Sequence, residues 1–297
     1  MKPRILHLYE PAPESPFLSA QAAANHWLAP ALRALDHEVV ARPLPLETPE
    51  TLQELSRHFD VVHVFGAHPG AEFAVPAVQT VWRHEAARLP LVAHSWSQAK
   101  RNPAPPAAVV PPAIPTAEVE PAPARGDHLV TVAQPGDEEA VARAAEVARA
   151  VERELVVLAS PGVAVPESRL VRTVDATTPE APRELATAAA CVSFTTRPAE
   201  VAAVTAMACG VPVLTLEGSA AAELIVSGEC GYAGYSVEDV ARWAERLDLF
   251  SPRLGRLRAR TLFDVQSAAR QLADLYASLA RGERPRFRHP EEVVAAR

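Results

Sequence analysis

The chain has 297 residues, 48% hydrophobic and 22% charged, the composition of an ordinary globular protein, and it is long enough for two domains without disulfide or metal staples. Its formal charge of −7, from 29 basic and 36 acidic residues, argues against a phosphate-backbone binder, so nucleic acid is not an expected partner. Proline is the outlier, since 29 residues is about twice the usual ~5%.

In chain order, short apolar runs alternate with helical patterns. ILHLY (residues 5–9) reads as a strand, residues 19–35 as a helix and EVVARPL (38–44) as a strand. A helix follows the Thr48-Pro49 start signal, then a strand in DVVHVFG (60–66), a helix over 71–88 and a strand in LPLVAHS (89–95). Apolar strands that alternate with helices pair in parallel through right-handed crossovers. Residues 1–105 therefore read as one doubly wound domain. Eight prolines between Asn102 and Pro123 remove backbone donors and fix φ. Residues 106–124 read as a semi-rigid connection with one β-prone island, AAVVPPAIP.

Alternation then resumes. HLVTVA (128–133), ELVVLAS (154–160), CVSF (191–194) and VPVLTL (211–216) read as strands, with helices over 137–153 and 179–190 and one ending at Cys209-Gly210. Gly210 suits a left-handed helix end, and Pro212 stops continuation. Three closing helices are expected over 237–249, 252–260 and 265–281, the first capped by Ser236 with Asp239 three residues on. Residues 125–281 form a second domain of the same kind. The fold class is α/β, two doubly wound Rossmann-like domains facing a cleft. Residues 282–297 are a tail; RGERPRFRHP (281–290) holds four arginines and reads as a solvated terminus.

The longest uncharged run of the C-terminal half, residues 201–216, is shorter than the ~20 residues of a spanning helix. No integral membrane segment and no signal peptide are expected. Cys191, Cys209 and Cys230 have no C-x-x-C spacing, which removes a zinc ribbon and a disulfide framework. The chain reads as cytoplasmic and reduced. Ligands of open parallel sheets bind beyond the carboxyl ends of strands, so the loops after Tyr9, Val64, Ala93, Ala133, Phe194 and Leu216 are where chemistry is sought. No G-x-G-x-x-G or P-loop pattern follows any strand, and no glycine precedes Gly66; a dinucleotide site is not expected.

The segment from Phe194 to Tyr232 contains AMACGVPVL, then Glu223 with Leu224-Ile225, then Gly228 and Gly231-Tyr232. It resembles the donor-domain core of family 4 glycosyltransferases of the GT-B fold. ILHLY, LAPALRALDHEVV, DVVHVFG, VVPPAIP and FDVQSAARQLADLYASL resemble further segments of that family in the same order. The resemblance implies a nucleotide-sugar donor held by the second domain, an acceptor held by the first, and hinge closure that excludes water. It implies transfer of a hexosyl unit with retained configuration, with no metal and no cofactor beyond the donor substrate.

Several positions depart from the family pattern. The two glutamates of E-x7-E fall on Arg197 and Thr205, Gln134 stands at the phosphate-binding arginine, and Glu138 near the lysine. PAPESPF replaces a Gly-Gly loop after the first strand. The candidate donor-binding residues are Gln134, Arg197, Glu200, Thr205, Gly218, Ser219 and Glu223. Arg197 can meet a phosphate or carboxylate with its planar fork, or pair with Glu200 on the surface. Gly218 and Ser219 offer N–H groups to an anion, or Ser219 is an ordinary helix cap. His94 and Trp96, in VAHSW, flank the position where the family often places a cleft histidine, and His94 is the candidate catalytic residue or a partly buried structural histidine; His63 reads as structural. The alternative is a catalytically silent GT-B-like binding or partner protein, and a two-lobed binding protein or an epimerase of the same fold stay open. The acceptor and the oligomeric state are not specified.

Overall fold

The computed structural model describes residues 2–12, 15–44, 48–82, 86–122, 124–197 and 200–283. Most of the arginine-rich tail, and Pro13-Glu14 of PAPESPF, lie outside these residues. The chain divides into two compact units. One comprises Met1–Pro11, Leu28–Pro111 and Ala268–Arg297, the other Ala12–Trp27 and Pro112–Ser267. Both are parallel α/β structures, as expected.

In the first unit β1 (Arg4–Tyr9) lies between β2 (Glu38–Pro43) and β3 (Val61–Phe65), with β4 (Ala77–Thr80) beyond β3. All pairs are parallel, and Ile5 is in register with both Val39 and Val61. The helical stretch of residues 20–33 is α1 (Ala20–Ala23), a π-helical turn (Ala24–Leu28) and α2 (Ala29–Arg33). Pro30 lacks an N–H and its ring crowds the carbonyl four residues back, which accounts for the widened turn before it. Thr48 caps α3 (Pro49–Ser56), accepting from the Thr51 amide.

The expected helix over residues 71–88 is not formed. Its described part runs through irregular backbone into β4. Pro76 disfavours helical backbone at Val75, and Val78, Thr80 and Val81 favour a strand buried on both sides. A parallel bridge from Gln79 to Leu91 leads to β5 (Val92–Ala93), which pairs with β6 (Ala108–Val109), and Ser95 caps α4 (Trp96–Arg101) between them. The β-prone island of the proline-rich segment thus supplies β6.

The second unit holds a six-stranded parallel sheet in the order β12-β11-β10-β7-β8-β9. Its strands are β7 (Leu129–Ala133), β8 (Leu155–Ala159), β9 (Val171–Asp175), β10 (Ala190–Ser193), β11 (Val213–Leu216) and β12 (Gly231–Gly234). Strand side chains alternate between faces. Val130, Val156, Leu158, Cys191 and Val213 pack with α6 (Glu180–Thr187), α7 (Val201–Cys209), α8 (Ala220–Leu224) and α10 (Pro252–Leu262). Leu129, Leu155, Val157, Val192 and Leu214 pack with α5 (Glu138–Ala150) and α9 (Val237–Ala244).

Gly210 ends α7 at φ 83°, where a side chain is strained, and Ser236 caps α9 at the Asp239 amide. The last helix, α11 (Val265–Ala280), carries Tyr276 into the core of the first unit. Among the described residues, no helix is long and apolar enough to cross a membrane.

Candidate functional site

At the carboxyl ends of β7 and β10 the second unit gathers a charged cluster. β7 stops at Ala133, and a turn through Gln134 and Gly136, at φ 96°, leads into α5. Asp137 precedes α5 but does not cap it with its side chain. Its carboxylate accepts from the Gln134 amide at 3.0 Å and the Thr195 hydroxyl at 3.2 Å, and it pairs with the Arg197 guanidinium. Arg197, in the loop after β10, also donates to the Gln134 side-chain oxygen. A cation from one loop is therefore held by a carboxylate and an amide from another. Asp137 is 7% exposed, so the pair is desolvated and depends on these hydrogen bonds for its balance.

Glu200 stands just before α7 and is also 7% exposed. Its carboxylate accepts from the Ser193 hydroxyl at 3.0 Å. Burial pushes its pKa up to about 7, against the pull of the Arg197 charge and of the Ser193 hydrogen bond. Arg197 and Glu200 thus do not form a simple surface pair. The guanidinium is engaged with Asp137, and the carboxyl is a buried group that titrates near neutrality.

The remaining candidates are built differently. Thr205, in the middle of α7, donates to the Phe17 carbonyl at 2.7 Å; it fastens the loop after β1 to α7 within this unit. Gly218 has φ 80° and makes the turn into α8. Ser219 accepts from the Ala222 amide at 3.2 Å and lies 2.8 Å from the Thr215 hydroxyl. It is a helix cap, and α8 is five residues long, too short for a strong dipole. Glu223 lies in the first turn of α8, half-buried. Asp137, Thr195 and Ser193 were not singled out from sequence. The available signal was position: each lies at or just beyond the carboxyl end of a strand.

In the first unit His94 follows β5 and is 7% exposed. Its Nδ1 lies 2.9 Å from the Val110 carbonyl. A carbonyl only accepts, so Nδ1 carries the proton and Nε2 of the neutral ring is an acceptor. Burial holds the ring neutral, lowering its pKa to about 4 although the Val110 contact opposes this. Among the described residues Nε2 has no hydrogen-bond partner, and neither has the buried Nε1 of Trp82. The two rings stack with centroids 5.1 Å apart. One bare acceptor and one free donor, both buried, are costly to leave unmet. His63, by contrast, is fully engaged: its Nδ1 lies 2.6 Å from the Tyr276 hydroxyl and its Nε2 2.9 Å from the Thr80 hydroxyl.

No protein-family model matches the chain, and no curated protein is found as a relative. Among solved structures it is similar to AviGT4, a glycosyltransferase involved in avilamycin A biosynthesis, at 21% identity and a TM-score of 0.75, over 94% of this chain and 98% of that one. It is similar to sucrose-phosphate synthase from Thermosynechococcus elongatus at 14% identity and a TM-score of 0.71, over 94% and 100%. A third is HepE of Anabaena, in complex with UDP and glucose, at 13% identity and a TM-score of 0.65, over 93% and 100%. At these identities the fold is what is shared, and this chain has the GT-B fold of glycosyltransferases.

Proposed function

We propose that the chain is a glycosyltransferase, akin to family 4, that moves a hexosyl unit from a nucleotide sugar to a hydroxyl-bearing acceptor with retention of configuration and without a metal. The observation that carries this reading is the Arg197 guanidinium beside Gln134 and Asp137. The family pattern puts a phosphate-binding arginine where Gln134 stands. Here a cation reaches the same amide from the loop after β10, so a positive fork is retained although its loop has changed. Asp137 occupies that fork in the free protein, and a donor phosphate would compete with it. The Glu200 carboxyl, poised near neutral pH by burial, is suited to accept from a sugar hydroxyl or exchange a proton beside it. In the first unit Trp82 Nε1 and His94 Nε2 offer a donor and an acceptor, a complement for hydroxyls. HepE has been solved with UDP-glucose, which makes uridine diphosphate sugars the first donors to try.

A thermal-shift screen with UDP-, GDP-, ADP- and dTDP-sugars and the free nucleotides tests the reading. A ligand at a hundred times its Kd adds ~2.7 kcal/mol of stability. One nucleotide class is expected to raise the Tm, and Arg197→Ala to remove that rise. No response to any of them, or a response untouched by Arg197→Ala, defeats the assignment and returns weight to a catalytically silent protein of this fold.

A further inference from the structure

Surface helices ordinarily turn their leucines inward. α10 does the reverse. Its buried residues are Gly255 and Ala259, and a Cβ on Gly255 would lie 3.4 Å from Cys230 and 3.5 Å from the Met207 carbonyl. These are ordinary contact distances, and the helix is seated there through its glycine and its alanine. Leu254, Leu257 and Leu262 are left 39%, 59% and 45% exposed.

Arg253, Arg256 and Arg260 follow one another at spacings of three and four, which places them on a single stripe beside Leu257. None of the three has an ion pair among the described residues. The helix contains no acidic residue, in a chain whose net charge is −7. The fourth arginine, Arg258, is used differently: it donates to the Leu224 carbonyl and lies over the Phe263 ring.

We propose that this outward face of α10 docks the protein on an anionic lipid bilayer, with Arg253, Arg256 and Arg260 at the headgroups and Leu254 and Leu257 in the acyl boundary. Basic side chains interleaved with exposed leucines are what such an interface binds. A nucleic acid would use the cations and leave the leucines in water, because strand-binding surfaces stack bases on aromatic rings. The proposal is independent of the sugar-transfer reading, since it uses none of the residues assigned there.

Co-sedimentation of the full chain with phosphatidylcholine vesicles, with and without phosphatidylglycerol, tests it. Binding is expected only to the anionic vesicles and is expected to weaken with salt. Arg253→Gln/Arg256→Gln/Arg260→Gln is expected to lower the apparent affinity about a hundredfold, from about fivefold for each lost charge. Leu254→Ser/Leu257→Ser, which keeps every charge, is expected to lower it as well, while Tm and far-UV circular dichroism stay unchanged because these side chains are exposed. Single Leu257→Glu serves if the double variant unfolds. No binding to anionic vesicles overturns the proposal. So does binding that the leucine variants leave intact, or binding to heparin as tight as to vesicles; the last two point to a soluble polyanion.

Discussion

Two buried ionisable groups with opposite preferences show what individual residues contribute. Glu200 has its pKa raised, chiefly by burial, to about 7, so the folded state prefers the protonated acid. Its stabilising share is complete below the unfolded value of ~4.5 and is lost as pH rises through about 7. At 1.36 kcal/mol per unit, the loss is on the order of 3 kcal/mol. Glu200→Gln keeps a polar group beside Ser193 and removes the titration. Urea unfolding from pH 5 to pH 8 should therefore show the variant gaining on the natural protein as pH rises, by roughly that amount. Parallel profiles would mean that the carboxyl is already solvated. His7 runs the other way: burial, with Arg33 adding to it, lowers its pKa to about 3. Its share is present above ~6.5 and is lost as pH falls through about 3.

At the scale of the element, α11 shows how one helix can complete a unit. Its Tyr276 hydroxyl lies 3.2 Å from His7 Nε2 and 2.6 Å from His63 Nδ1, and the Thr80 hydroxyl beyond His63 donates to the Val92 carbonyl at 3.2 Å. Protons fit in one direction: His7 donates to Tyr276, Tyr276 to His63, His63 to Thr80 and Thr80 to Val92. Tyr276→Phe keeps the ring and strands two buried nitrogens, so it should cost ~1–3 kcal/mol for each. Equilibrium urea unfolding measures this, and an unchanged midpoint would show that water replaces the hydroxyl.

Strands buried on both faces were legible because their apolar runs are continuous, and the capped helices because Thr48, Ser219 and Ser236 announce them. The helix expected over residues 71–88 was misread because its apolar spacing outweighed Pro76. β12 (GYAG) was not anticipated, because two of its four residues are glycines; Gly231 is required where a Cβ would strike the Val213 backbone. At the candidate site Arg197, Glu200 and Gln134 were legible from motif register. The pairing of Arg197 with Asp137 was not, since 60 residues of chain separate two loops that only the sheet order brings together.

For the whole molecule, neither unit is continuous in sequence. The core of the second unit includes Leu18 and Ala23 from Ala12–Trp27, Phe17 packs against that core and lies 4.8 Å from Trp27, ring to ring, and the Phe17 carbonyl takes the Thr205 proton. A cut in the proline-rich segment, where composition suggests a boundary, would therefore not release an intact second unit. Fragment Pro112–Ser267 keeps the six-stranded sheet but leaves the face of α7 that meets Leu18 and Ala23 open to water. Burial of one leucine and part of one phenylalanine is worth roughly 2–4 kcal/mol, a large share of the stability of a domain this size. The fragment should unfold at lower urea than the second unit does in the whole chain and should bind a hydrophobic dye. A synthetic peptide of residues 12–27, added in trans, should raise its midpoint and suppress the dye signal. Should the fragment prove equally stable with and without the peptide, the segment after β1 is an accessory to this core rather than part of it.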